Sequence, residues 1–152
     1  MKSLIVCVSI SNGSTRRVAD QMAEVLGAEV AEPEAVDVDT LGQYDLVGFG
    51  SGIYFMAAHP RLRRFVRDLP RVDGLAAFTF FTSGLAERPL LGIRRGLASK
   101  GIDAVDSFSC RGLDTMGPFK VIGGLNKGRP DDHDLEQAAA FAARLRGRVA
   151  GT

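Results

Sequence analysis

The chain has 152 residues, 45% of them hydrophobic and 24% charged, with a net charge of +1 at neutral pH. That length suits a single domain spanning residues 1–152 with a sizeable core, and the composition is ordinary for a soluble globular protein. Two cysteines and two isolated histidines argue against a disulfide framework or a metal site, so no metal is expected.

The first apolar run, residues 4–8 (LIVCV), predicts a strand covered on both faces, in which Cys7 is a small buried hydrophobe. It is too short to cross a membrane and is followed by no signal-peptide cleavage pattern, so a cytoplasmic location without membrane insertion is expected. Residues 15–26 carry apolar Val18, Ala19, Met22, Ala23 and Leu26 at helical spacing. A weaker strand is expected near Glu29 or over 36–38, and residues 31–43 are too short and polar for a helix. Strands are then predicted over 45–50, 76–82 and 103–109, alternating with helices over 59–69, 87–100 and 131–149. Gly92 and Gly96 weaken the third helix without forbidding it. Pro60, Pro89 and Pro130 each sit near a helix start, where a missing N–H costs nothing. The last helix opens on Asp131, Asp132 and Asp134 and closes on Arg144, Arg146 and Arg148, matching its dipole. Residues 110–129 form a connection long enough to suggest function.

Strands alternating with helices through short links predict an α/β fold, a doubly wound parallel sheet with helices on both faces. Right-handed crossovers leave few topologies. Ligands in such folds lie beyond the C-terminal ends of the strands, where the strand order reverses.

The loop after the first strand stands at that place. Of its seven residues, Ser9, Ile10, Ser11, Asn12, Gly13, Ser14 and Thr15, only Ile10 is neither small nor polar. Gly13 permits a tight turn, successive N–H groups at a helix start attract an anion, and the hydroxyls add donors. The set can hold a phosphate without a lysine. A plain N-cap by Asn12 or Ser14 would use one such residue and leave the others incidental. Other phosphate chemistries fail on this stretch. No G-x-x-x-x-G-K-[ST] run and no G-x-G-x-x-G is present. Gly13 stands six residues after Cys7, where a cysteine phosphatase needs arginine. The strands end on Ser9 and on Gly50 and Ser51, not on the acidic residues of a phospho-acceptor domain.

The second loop reads SGIYF. Gly50 and Gly52 bracket Ser51, and Ile53, Tyr54 and Phe55 follow. A strand end that exposes backbone to a flat ligand has this composition: Gly52 permits peptide orientations other residues resist, and Tyr54 offers a stacking face with a polar tip. An ordinary strand-to-helix turn with buried aromatics fits equally well. The third strand end repeats the theme with Thr82, Ser83 and Gly84.

Across nearly its whole length the chain resembles the flavodoxin family. The stretches LIVCVSISNGSTRRVADQMAEVL, YDLVGFGSGIYF and FTFFTSG carry the resemblance, with a tail running from SFSCRG to DLEQAAAFAARL. It implies a five-stranded parallel sheet in the order 2-1-3-4-5 within three layers, and FMN as cofactor. By the same resemblance, Ser9, Ser11, Asn12, Gly13, Ser14 and Thr15 hold the 5′-phosphate. Ser51, Gly52, Ile53, Tyr54 and Phe55, with Thr82, Ser83 and Gly84, flank the isoalloxazine. The chain has no Trp, so ring stacking falls to Tyr54 or Phe55. Ile10 departs from the family's usual Ser or Thr three residues before the loop glycine.

The implied function is electron transfer between redox partners, with no catalytic side chain required. Two alternatives stand beside it: an FMN-dependent NAD(P)H:quinone-type oxidoreductase, with residues 110–129 walling a substrate pocket, or a cofactor-free binding module. His59 reads as a surface residue at a helix start. Cys110 packs under the long loop or stands as a thiol near the flavin. Charge is segregated. Residues 18–57 hold eight acids and no Lys or Arg, whereas 58–100 are rich in arginine. The two segments are either solvated faces or a docking surface. In the second case some of Arg61, Arg63, Arg64, Arg67, Arg94 and Arg95 would meet an acidic partner protein. No nucleic-acid partner is expected.

Overall fold

The computed structural model describes residues 1–9, 13–54, 57–83, 91–111 and 130–151. Its parallel strands are β1 (Ser3–Val8), β2 (Glu29–Ala31), β3 (Leu46–Tyr54), β5 (Ala76–Ser83) and β6 (Asp103–Arg111). They lie in the order β2-β1-β3-β5-β6, and a short antiparallel β4 (Ala57–Ala58) folds back on the end of β3. With β4 set aside, this is the expected order. Helices α1 (Ser14–Leu26), α2 (Pro60–Arg67), α3 (Leu91–Ala98) and α4 (Asp132–Ala150) complete the three layers.

Alternation along each strand divides the core in two. On one face Leu4, Val6, Val8, Val47 and Phe49 pack under Leu62 and Val66 of α2 and Ile93 and Leu97 of α3. On the other, Ile5, Cys7, Phe78 and Phe80 pack under Val18, Ala19 and Met22 of α1 and Phe141, Ala142 and Leu145 of α4. Cys7 is buried there as a hydrophobe, and desolvation pushes its thiol pKa up to about 12. The run from Leu4 to Val8 had to be apolar throughout because both of its faces are covered.

The polar stretch before β3 folds as two 3-10 turns, Pro33–Ala35 and Val38–Gln43, and the weak strand settles at Glu29–Ala31. Pro60 occupies the first turn of α2, as its missing N–H permits. Pro89 lies outside the described residues. Pro130 stands just ahead of the Asp131 cap of α4, where Asp131 accepts from the Asp134 N–H and Asp134 accepts from the Asp131 N–H, both at 2.9 Å.

The glycines of β3 have a packing role. Gly48, Gly50 and Gly52 pair in register with Phe78, Phe80 and Thr82 of β5. A Cβ at Gly48 would stand 2.3 Å from the Phe78 ring, and one at Gly50 would stand 2.2 Å from the Phe80 ring. Gly50, for which the sequence left open both a backbone presented to a ligand and an ordinary turn, is bare where a buried ring lies across the strand.

Candidate functional site

The strand ends that lead into the three loops singled out in the sequence lie side by side at one edge of the sheet. In the parallel register Val8 lies beside Ser51, Gly52 beside Thr82, and Thr82 beside Cys110. The chain leaves β1 toward α1 on one face and leaves β3 toward α2 on the other. A crevice therefore opens between the ends of β1 and β3, at the point where strand order reverses.

The first loop enters α1 through Gly13, whose φ of 69° places it in the left-handed region. No side chain caps the helix from that position, so a plain N-cap by Ser14 does not account for the hydroxyls. Ser9 Oγ reaches across the turn and accepts from the Arg16 N–H at 3.1 Å. Ser14 and Thr15 begin the helix and are largely buried. No acidic residue stands in the first turn to oppose an anion. Arg16 is committed to Asp20 at 2.8 Å, on the surface.

The bare face of β3 has a consequence here. With no side chains at Gly48, Gly50 and Gly52, the side chains of β5 reach over β3 toward α1. Thr82 thereby meets Thr15, their hydroxyl oxygens 2.7 Å apart and buried. The pair ties the first loop to the third. One hydroxyl donates to the other, and the second hydrogen stays available for an acceptor in the crevice.

In the second loop Ser51 is fully buried, and its hydroxyl faces inward. It donates to the Gly52 carbonyl at 2.7 Å and accepts from the His59 N–H at 3.2 Å. Ser51 thus clamps the end of β3 to the start of α2, and what it offers a ligand is backbone. Gly52 is buried, Ile53 is half-buried, and Tyr54 pairs with Ala57 across the β3–β4 turn. Ser83 ends β5 beside Arg111. Ser11, Asn12, Phe55 and Gly84 lie outside the described residues, as does most of the 110–129 connection. Cys110 is buried at the end of β6, next to Thr82 in register. Among the described residues no three His, Cys, Asp or Glu side chains converge on a point.

His59 takes a role that its sequence context does not announce. Its Nδ1 accepts from the Arg61 N–H at 3.0 Å, so it caps α2. Burial, then the charges of Arg61 and Arg63, hold its pKa below the usual histidine value, with Glu34 opposing. A residue kept neutral in the fold binds fewer protons than in the unfolded chain. Its contribution to stability is therefore complete above the unfolded pKa of about 6.5 and lost as pH falls from there through the folded value. Replacing His59 with Asn keeps a side-chain acceptor at the cap. The expected result is that the urea midpoint of the parent drops more between pH 7.5 and 5.5 than that of His59→Asn. Equal drops in both proteins would remove the histidine from the account.

The first turn of α2 also carries Arg61, whose guanidinium binds the carboxylates of Glu32 and Glu34. The arginine hydrogen bonds hold the Glu34 carboxyl down at about 2. The acidic and basic segments of the sequence thus partly neutralise each other, and Arg61 leaves the set of arginines open to a partner. Arg67 and Arg71 pair likewise with Asp68 and Asp73.

The flavodoxin-domain family matches residues 5–112, the part of the chain that builds β1 through β6 and the crevice. The chain belongs to the flavodoxin family. An uncharacterized protein of Methanocaldococcus jannaschii is 37% identical over 151 residues, covering 95% of this chain and 98% of its own. Among solved structures, oxidised flavodoxin 2 from Bacillus cereus superposes with a TM-score of 0.73 at 18% identity, covering 97% of this chain and 99% of that one. The WrbA-like flavodoxin from Agrobacterium tumefaciens gives 0.71 at 17% identity, covering 99% and 98%. At such identities the structures share the fold. Among the described residues no helix is long and apolar enough to cross a membrane.

Proposed function

We propose that the crevice holds FMN and that the protein carries electrons between redox partners. The observation behind this reading is the head of α1, where a left-handed glycine stands at the N-cap without a side chain of its own and the buried Thr15–Thr82 hydroxyl pair adds donors, with no acid in the first turn. That donor set fits a phosphate dianion. Gly13, Ser14 and Thr15, with Ser9 and the neighbouring Ser11 and Asn12, would hold the phosphate. The strand ends at Ser51, Gly52, Ile53 and Tyr54, with Phe55 beyond, and at Thr82, Ser83 and Gly84 would flank the ring. Bound FMN supplies one- and two-electron redox chemistry, and the chain supplies binding, orientation and the surroundings that set its potential. We read residues 1–152 as one such domain, working in the cytoplasm with a partner whose docking surface is acidic.

The direct test is a visible spectrum of the protein incubated with FMN and freed of excess. A flavin band at one equivalent supports the assignment, and colourless protein overturns it. The loaded protein should oxidise NAD(P)H only when a separate reductase is supplied. Rapid oxidation by the protein alone would make it an oxidoreductase in its own right.

A further inference from the structure

We propose that the groove between α2 and α3 seats an acidic protein segment that inserts an aliphatic side chain. The proposal extends the carrier reading by naming where and how a partner binds, but it does not need bound flavin.

The two helices lie side by side on one face of the sheet, both running away from the crevice edge. Gly96 lets them touch, since a Cβ there would stand 2.9 Å from Val66 Cγ1. One turn earlier, Gly92 has nothing within 4 Å of its Cβ position. Between them is a groove of about 420 Å³ that starts at Ala57 and Ala58, at the end of the second loop, and runs down to Lys100. Each helix has eight residues, so the groove is about 12 Å long. Its floor is apolar, made of Ala58, Val66 and Ile93. Leu91, 56% exposed, opens α3 beside Gly92.

The rim is cationic at Arg63 and Lys100; Arg67 lines it too, but with Asp68 as its counterion at 3.0 Å. Arg63 donates to the Ala58 carbonyl at 3.1 Å, and Lys100 donates to the Arg67 and Leu69 carbonyls. Carbonyls fix these side chains without cancelling their charge. Arg63 and Lys100 form no ion pair among the described residues, nor do Arg64, Arg94 and Arg95 on the same two helices. A positive rim, fixed at Arg63 and Lys100, over an apolar floor selects a ligand with negative charge around an aliphatic anchor. A nucleic-acid backbone offers the charge but not the anchor.

The probe is a fluorescein-labelled peptide of about twelve residues, glutamate-rich, with two leucines four apart so that both share a helix face. The full-length protein should bind it at about 20 mM salt and lose at least about tenfold in affinity at about 0.3 M. Peptides with glutamine for glutamate, or alanine for leucine, should each bind at least about tenfold more weakly. Gly92→Leu is the decisive variant. It fills open space, favours the helix and leaves charge unchanged, so it should abolish binding without lowering the urea midpoint. Arg63→Gln should weaken binding through charge alone. Undiminished binding by Gly92→Leu would overturn the groove. So would an oligonucleotide that binds more tightly than the peptide, or concentration-dependent self-association that Gly92→Leu removes. Each measurement is made with and without FMN. Flavin binding without peptide binding removes the docking claim alone, and peptide binding by colourless protein removes the cofactor alone.

Discussion

Gly50→Ala should destabilise the fold by about 3 kcal/mol, the upper end of overpacking costs. The added methyl would stand 2.2, 2.3 and 2.5 Å from three atoms of the Phe80 ring. That ring cannot swing away. Phe80 is fully buried against Phe78 at a centroid distance of 6.0 Å, Phe78 packs on Phe141 at 5.9 Å, and Phe141 packs on Phe108 at 5.5 Å. Moving one ring displaces the row, because a close-packed interior offers no spare volume. For a chain of this length the melting temperature should fall by roughly 6–12 °C. Phe80→Ala alone should also destabilise, by leaving a cavity. The double variant should recover part of the loss, with a coupling of roughly 1–3 kcal/mol between the two sites. Strict additivity would mean that the glycine is not there for the ring.

This glycine shows where sequence reading ended. The strands were legible because a parallel sheet covered on both faces demands unbroken apolar runs, and Leu4 to Val8 has one. The phosphate-loop candidate was legible because hydroxyls, amides and a glycine crowd between a strand and a helix. The reason for Gly50 was not, because it lies on β5, about thirty residues further along, and appears only once register sets Phe80 beside it. Gly50 and Gly52 read alike in sequence; register separates them, one facing a ring and the other facing Thr82. His59 was obscure for a similar reason. Capping by a histidine depends on Nδ1 meeting one particular amide, and no spacing rule announces it. The pairing of Arg61 with Glu32 and Glu34 joins segments nearly thirty residues apart, so charge runs that looked like separate faces are partly each other's counterions. The short β4 and the two 3-10 turns are set by the elements they connect more than by their own composition.

The Thr15–Thr82 pair carries the last prediction. Thr15 comes from the first turn of α1 and Thr82 from the end of β5, beside Gly52 of β3 in register, and their hydroxyls meet at 2.7 Å. Of the two hydroxyl hydrogens, one closes the pair and one is left to donate into the crevice. A donor facing a phosphate dianion makes a charge-assisted hydrogen bond, whose loss costs roughly 1.5–3 kcal/mol. Thr15→Ala should therefore weaken FMN by about tenfold to a hundredfold, while riboflavin, which shares the ring and lacks the phosphate, should lose little. Thr15→Ser keeps the hydroxyl and should restore most of the difference. Thr82→Val should weaken FMN as well, by freeing Thr15 to turn away, although Thr82 would lie further from the phosphate. A purely structural role for the pair predicts another pattern: Thr15→Ala would lower the urea midpoint and weaken both flavins equally. Titration of the two flavins against the parent and these three variants separates the cases. Equal losses for FMN and riboflavin would move the phosphate away from α1 and leave the hydroxyl pair as a bolt between the sheet and its first helix.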